Sequence, residues 1–200
     1  MGKHRQPNKS QKKDKSGFIR IISGLWKGRK LPVHDAEGLR PTTDRVKETL
    51  FNWLATDLPK ARCLDLFAGS GSLGFEAASR QAEFVTMIEK NPDALRQLKQ
   101  NQQTLSASHL QIVQADTRIY LAQTPPAEPY DIVFIDPPFR QGLLEETLHL
   151  LEQGQWLHEN ALIYIESEKE WPVSTIPPSW KLHREKVAGQ VCYRLFQRNA

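Results

Sequence analysis

Cysteine is scarce. Only Cys63 and Cys192 occur among 200 residues, far apart and in apolar, strand-like surroundings. That spacing supports neither a disulfide framework nor a paired metal site, so no metal is expected and reduced, buried thiols are. Long apolar runs are missing too. None approaches the roughly 18 residues that a membrane span needs, and the N-terminal stretch has no segment of the signal-peptide kind. A cytoplasmic location and no membrane partner are therefore expected. Acids are scarce in one region. Residues 1–47 carry 13 Lys+Arg against 4 Asp+Glu, a net of +9, whereas residues 48–200 carry 14 against 19, a net of −5. A basic appendage on a mildly acidic body suits a polyanion touched from one side. A merely solubilising tail fits the same counts.

What is present is 39% hydrophobic residues, enough for the core of one domain with a small appendage. A monomer is expected. Residues 1–16 are polar, basic and without periodicity, which predicts a disordered tail. Residues 17–39 hold two short apolar runs around a Gly-containing turn, which predicts a β-hairpin. Trp26 and Lys27 lie at its tip, with Arg20, Arg29 and Lys30 beside them. This set is a candidate clamp for single-stranded RNA, although Trp26 could equally fold back onto the hairpin. Asp44 reads as the N-cap of a helix carrying Val46, Leu50, Phe51 and Leu54 at helical spacing. From residue 61 strand and helix alternate. Strands are predicted at 62–67, 84–88, 110–113, 132–135 and 162–165, and helices at 73–80, 92–105, 117–122 and 143–152. Two closing strands at 181–187 and 191–196 are joined by a tight turn. Such alternation means a mostly parallel sheet with helices on both faces, and residues 40–200 form that domain.

The apolar run Ile132-Val133-Phe134-Ile135 stops at Asp136-Pro137-Pro138-Phe139, with Arg140 next. Prolines cannot continue a sheet ladder and stiffen the backbone leaving the strand. Open α/β sheets place their ligands at such strand ends. A carboxylate, the Pro137 carbonyl and a flat ring together match a planar base with an exocyclic amino group. Taken alone, the tetrapeptide could simply end a strand.

A second loop narrows the choice. In Asp65-Leu66-Phe67-Ala68-Gly69-Ser70-Gly71-Ser72-Leu73-Gly74 the glycines fit the G-x-G-x-x-G dinucleotide pattern. Charge argues against a pyrophosphate, which a fixed Asp65 would repel. S-adenosylmethionine has no phosphate and carries a sulfonium and an ammonium, which an acid attracts. Phe67, Gly69 and Gly71 would line its approach, Glu89 would take its ribose hydroxyls, and Asp116 would accept from its adenine amino group. Asp65, Glu89, Asp116 and Asp136 close four successive predicted strands, more than chance turn residues explain.

These motifs resemble those of the class I S-adenosylmethionine-dependent methyltransferases. The resemblance implies a Rossmann-like α/β fold with a seven-stranded, mostly parallel sheet, a C-terminal antiparallel hairpin and, here, a small N-terminal hairpin. A narrower likeness rests on Arg40-Pro41-Thr42-Thr43-Asp44-Arg45-Val46-Lys47-Glu48-Thr49-Leu50-Phe51-Asn52, with Arg20-Ile21-Ile22-Ser23-Gly24 and Gly28-Arg29-Lys30-Leu31 before it. This pattern resembles the bacterial 16S ribosomal RNA guanine-N2 methyltransferase D family, apart from Ser23 where a glycine is expected. The family implies methylation of one guanine of 16S RNA, conventionally position 966, in the 30S subunit or its assembly intermediate. It also implies that Thr42 and Arg45 meet the methionine carboxylate.

The mechanism expected from these residues is in-line transfer to the amino nitrogen. Asp136 and the Pro137 carbonyl would hold that nitrogen, and Phe139 would stack on the base. The rivals are a DNA adenine-N6 or cytosine-N4 methyltransferase, a protein glutamine methyltransferase, a nicotinamide oxidoreductase, and a non-catalytic ribosome-assembly factor. Against the first, the chain has no obvious separate base-recognition domain, and the second usually has an amide where Asp136 stands. The third leaves Asp136-Pro137-Pro138-Phe139 unexplained, and the fourth leaves four intact strand-end acids unexplained.

Overall fold

The protein is described by a computed structural model that covers residues 17–33 and 43–199. The expected disordered tail, the end of the hairpin extension and Thr42 lie outside those residues. Two strands, β1 (Gly17–Arg20) and β2 (Lys30–Val33), form the N-terminal hairpin. Then follow α1 (Asp44–Trp53), β3 (Arg62–Asp65), α2 (Ser72–Ser79), β4 (Phe84–Glu89), α3 (Pro92–Leu105), β5 (Leu110–Gln114) and α4 (Thr117–Leu121). The chain closes with β6 (Tyr130–Ile135), α5 (Leu143–Gln153), β7 (Leu157–Glu168), β8 (Trp180–Ala188) and β9 (Val191–Arg198).

Seven strands make one sheet in the order β5-β4-β3-β6-β7-β9-β8. The first five in that row pair in parallel, and β9 runs antiparallel to both neighbours. The expected mostly parallel sheet with a closing hairpin is therefore present. Its first strand, β3, is central. The chain steps outward to β4 and β5, then returns to lay β6 on the other side of β3. A crevice opens at the carboxyl ends where the direction of winding reverses, which is where α/β sheets bind ligands.

Both sheet faces are covered, which is why β6 reads as an unbroken apolar run. Ile132 and Phe134 enter one core with Leu50, Phe51, Phe75 and Leu98. Val133 and Ile135 enter the other with Leu148, Leu151 and Trp156. All four β6 side chains are fully buried, each contributing about 1.5–3 kcal/mol of transfer free energy. Local signals set the helix ends. The Asn91 side chain accepts from the backbone of Asp93 and Ala94, ahead of Pro92 at the first helical position. In α1 the cap is Thr43, whose hydroxyl accepts from Val46 N, and Asp44 is the first helical residue rather than the cap. Each predicted strand of the sheet is present with shifted ends, and two of the shifts have a clear local cause. β3 ends at Asp65, where the glycine loop begins. β7 extends back to Leu157 through exposed His158, Glu159 and Asn160, polar residues that read as a turn in sequence.

The N-terminal hairpin is bound to the body. Ile19, Ile21 and Leu31 join the first core. The buried Glu76 carboxylate of α2 accepts from Ile22 N at 2.7 Å, from Ser23 N at 3.0 Å and from Arg80 Nε at 2.7 Å. Lys47, buried in α1, donates to the Arg20 carbonyl at 2.6 Å, and Asn101 of α3 donates to the Pro32 carbonyl at 3.0 Å. These are charge-assisted or buried bonds, the kind that cost most when one partner is lost.

Candidate active site

The loop after β3 turns on glycine. Gly71 has φ +78°, and a Cβ there would come within 2.6 Å of Phe75 and Leu98 side-chain carbons. A Cβ on Gly74 would meet the Met87 sulfur at 2.3 Å. The bare backbone lets α2 start close against β4 and leaves the loop facing the crevice. Asp65 lies beneath it, 2% exposed, and its carboxylate accepts from Gly74 N at 3.1 Å. Burial pushes its pKa up to about 7, against the downward pull of the Gly74 and Phe67 backbone N–H groups.

At the end of β4, Glu89 accepts from Gly69 N and Asn91 N, both at 2.7 Å. One carboxylate thereby fixes the glycine loop and the start of α3. Asp116, after β5, caps α4 by accepting from Arg118 N. Its two oxygens also take Arg118 Nε at 3.1 Å and Nη2 at 3.3 Å. The Arg118 hydrogen bonds hold Asp116 below the usual carboxylate range. Arg118 in turn reaches Glu146 of α5 at 3.2 Å. Asp116 borders the cavity, and although both its oxygens serve the arginine, a carboxylate keeps lone pairs for a further donor such as the expected adenine amino group.

β6 pairs with β3 through Asp65↔Phe134, so Asp136 follows immediately beside the glycine loop. Asp136, Pro137, Pro138 and Phe139 line the same cavity as Asp65, Phe67, Gly69 and Glu89. Its volume is about 670 Å³, within the usual range for small-molecule sites. Asp136 is half-buried and Pro137 buried, whereas Phe139 is 36% exposed at the mouth. Arg140, outside this cavity, has φ +61° and donates its backbone N–H to Glu168 at 2.6 Å.

Two groups of expected site residues lie elsewhere. Arg45 is exposed on the first turn of α1, and its neighbours Thr43 and Val46 line the cavity in its place. Trp26 does not project as a clamp. Its ring stacks on His109 at 5.9 Å and its backbone N–H donates to Ser79 Oγ. Ser79 ends α2 and Ser72, at the cavity, begins it, so the hairpin turn sits roughly 10 Å down the helix from the crevice. Arg20, Lys27, Arg29 and Lys30 are exposed.

The cavity suits a cation better than a pyrophosphate. It is lined by the carboxylates of Asp65, Glu89, Asp116, Asp136 and Glu166, against the cations of Lys90 and Arg118. The buried Ser72 Oγ in its wall has no hydrogen-bond partner among the described residues. Such an orphaned group is open to a ligand, and it stands at the N-terminus of α2, where a carboxylate is favoured. A molecule with a cationic amine next to a carboxylate fits Asp65 and Ser72 together.

Comparison with known proteins is consistent with this geometry. Residues 19–197 match the family described as Conserved hypothetical protein 95. Over 92% of either chain, the sequence is 58% identical to ribosomal RNA small subunit methyltransferase D of Escherichia coli strain K12. The chain belongs to the ribosomal RNA small subunit methyltransferase D family. The Haemophilus influenzae member is 51% identical over 94% of this chain and 98% of its own. Among solved structures, Escherichia coli yhhF superimposes with a TM-score of 0.84 at 57% identity, covering 92% of this chain and 99% of that one. TYW2 of M. jannaschii, solved in complex with AdoMet, shares the fold at a TM-score of 0.59 and 18% identity, over 84% of this chain and 82% of that one.

For this methyltransferase D family member, sequence reasoning missed Thr43, Ser72, Arg118 and Glu166. Ser72 lay inside the quoted glycine loop. Glu166 directly follows a predicted strand, the same signal that marked the other four acids.

Proposed function

We propose that this chain transfers a methyl group from S-adenosylmethionine to the exocyclic N2 amino group of a guanine in 16S ribosomal RNA of the small subunit. The observation that carries this reading is the juxtaposition at the switch point: the glycine loop after β3 and Asp136-Pro137-Pro138-Phe139 after β6 border one cavity. The small-subunit RNA substrate is drawn from the names of the close relatives.

S-adenosylmethionine, when bound, supplies an electrophilic methyl group on a sulfonium. Asp65 and Ser72 would hold its amino-acid end, Glu89 its ribose, and the wall of Ile88, Ala115 and Phe67 its adenine. The amino nitrogen of guanine is a poor nucleophile because its lone pair is delocalised into the ring. The Asp136 carboxylate and the Pro137 carbonyl accept its N–H bonds and draw it toward tetrahedral geometry. Positioning of this kind supplies much of the rate. Phe139 stacks on the base, which leaves its helix or loop to enter. The amino proton turns acidic only as the new C–N bond forms, and Asp136 accepts it then. Exposed Arg20, Lys27, Arg29, Lys30 and Arg140 contact the phosphates around the target.

The test is methyl transfer from labelled S-adenosylmethionine to unmodified small subunits, naked 16S RNA and duplex DNA in parallel, with product nucleosides identified by mass. N2-methylguanosine in the subunits is the expected product. N6-methyladenine in the DNA, with unlabelled subunits, would overturn the proposal.

A further inference from the structure

Among the described residues five carboxylates border the cavity, and the reaction described above gives Glu166 no task. Glu166 lies on β7, next to β6 in the sheet. Ile135 and Ile165 are register partners, so Asp136 and Glu166 stand one step further along two adjacent parallel strands. Phe134 and Tyr164, two residues before each, face the same core. Asp136 and Glu166 thus fall on the same face, about one strand spacing of 5 Å apart, and both border the cavity.

Glu166 is 6% exposed. The Tyr164 hydroxyl donates to its Oε1 at 2.8 Å, and Tyr193 is its cross-strand partner on β9. Burial, then the negative charge of Glu166, raises the Tyr164 phenol well above its ordinary value. The phenol therefore stays a donor and orients a carboxylate that acts as an acceptor. A buried acid is expensive to keep charged, and its position beside Asp136 gives it a use.

We propose that Glu166 reads the ring N1–H of the target base and so makes this a guanine site. The inference rests on the methyl-transfer reading. Guanine presents two neighbouring kinds of donor on its Watson–Crick edge, the N2 amino group and N1–H. Adenine and cytosine also carry an amino group, but the ring nitrogen next to it is an acceptor. Two side-by-side carboxylates therefore match guanine alone. Against adenine or cytosine, a Glu166 carboxylate oxygen faces a ring-nitrogen lone pair, so two acceptors oppose each other in a buried site. Rejection by unpaired polar groups is the strongest discrimination a binding site offers.

The experiment uses small subunits whose target guanine is replaced by 2-aminopurine, which keeps the N2 amino group but has an acceptor at N1. The wild-type protein is expected to prefer guanine by about 10- to 100-fold in kcat/KM. Glu166→Gln keeps an acceptor for Tyr164 and offers an amide N–H to N1. It is expected to lose guanine turnover while the ratio of guanine to 2-aminopurine falls at least about tenfold, with cofactor affinity and melting temperature unchanged. Tyr164→Phe, which removes the hydroxyl that orients the carboxylate without altering its charge, narrows the ratio less and carries the test if Glu166→Gln fails to fold. An equal loss on both bases, leaving the ratio fixed, would mean that Glu166 only holds the fold and overturns the inference alone. No N2-methylguanosine in the wild-type control overturns the methyl-transfer reading and this inference with it.

Discussion

On the β3–β4–β5 side of the cavity, each acid is tied to the backbone around it. Asp65 holds Gly74 N–H, Glu89 holds Gly69 and Asn91, and Asp116 holds the first turn of α4. On the β6–β7 side the strands are as deeply buried, but the turn that leaves them is at the surface. Pro138 to Gly142 are exposed, with Arg140 and Gly142 both at positive φ. The difference matches what each half has to meet. A small cofactor of fixed shape rewards a pocket settled in advance. A base on a folded RNA arrives with its neighbours attached, and an exposed turn can close on it. The cofactor half should therefore be sensitive to backbone changes, and the acceptor half to side-chain changes.

The sharpest separation is expected from Asp136→Ala. Turnover should fall about 10³-fold in single-turnover methyl transfer, with cofactor affinity unchanged by calorimetry. A parallel loss of cofactor affinity would show that the halves are not independent. Asp65→Asn makes the complementary break, a roughly 10- to 100-fold weaker cofactor. Its pH behaviour has a defined sign. The ligand-free Asp65 carboxyl titrates at about 7, and the cationic end of the cofactor binds its ionised form. Wild-type affinity should thus rise as pH rises through about 7 and then level, whereas Asp65→Asn should show no such rise. The raised value also means that the folded state holds this proton longer than the unfolded chain does. The ligand-free protein should therefore lose stability between about pH 4 and 7, a slope that the same variant removes.

Gly71→Ala should cost about 1–3 kcal/mol in denaturant melts, because the added carbon meets Phe75 and Leu98 at a positive φ. Phe139→Ala should leave stability alone and raise KM for small subunits about tenfold, the worth of one base stack. The smallest effect belongs to Glu146→Gln. It loosens an exposed Arg118 pair and should change activity by less than about twofold.

How legible each half was in the sequence follows from the same contrast. The glycine loop, Glu89 and the strand-end acids could be read because backbone constraints leave residue-type signatures: Gly71 for a positive φ, Asn91-Pro92 for a helix start. The β7 strand was predicted short because His158, Glu159 and Asn160 are polar, yet their backbone pairs with the sheet while the side chains reach solvent. Arg45 drew attention through its place in a family signature, but helical geometry turns Thr43 and Val46 to the cavity instead. Trp26 was ambiguous because its partner, His109, is 83 positions away and no local pattern announces it. Glu166 was legible by the rule already in use, and only its neighbour Asp136, across a strand boundary, shows what the acid is for.

The hydrogen bonds that seat the N-terminal hairpin also set an order of events during synthesis. β1 and β2 are local partners and can close as soon as both have been made. Their fastenings on the body lie far downstream: Ile22 waits 54 residues for Glu76, and the Pro32 carbonyl waits 69 for Asn101. Contacts at such separations must first overcome the entropy of closing the loop between them. The hairpin is thus held in reserve until α2 and α3 exist, and its docking reports that both helices have been made.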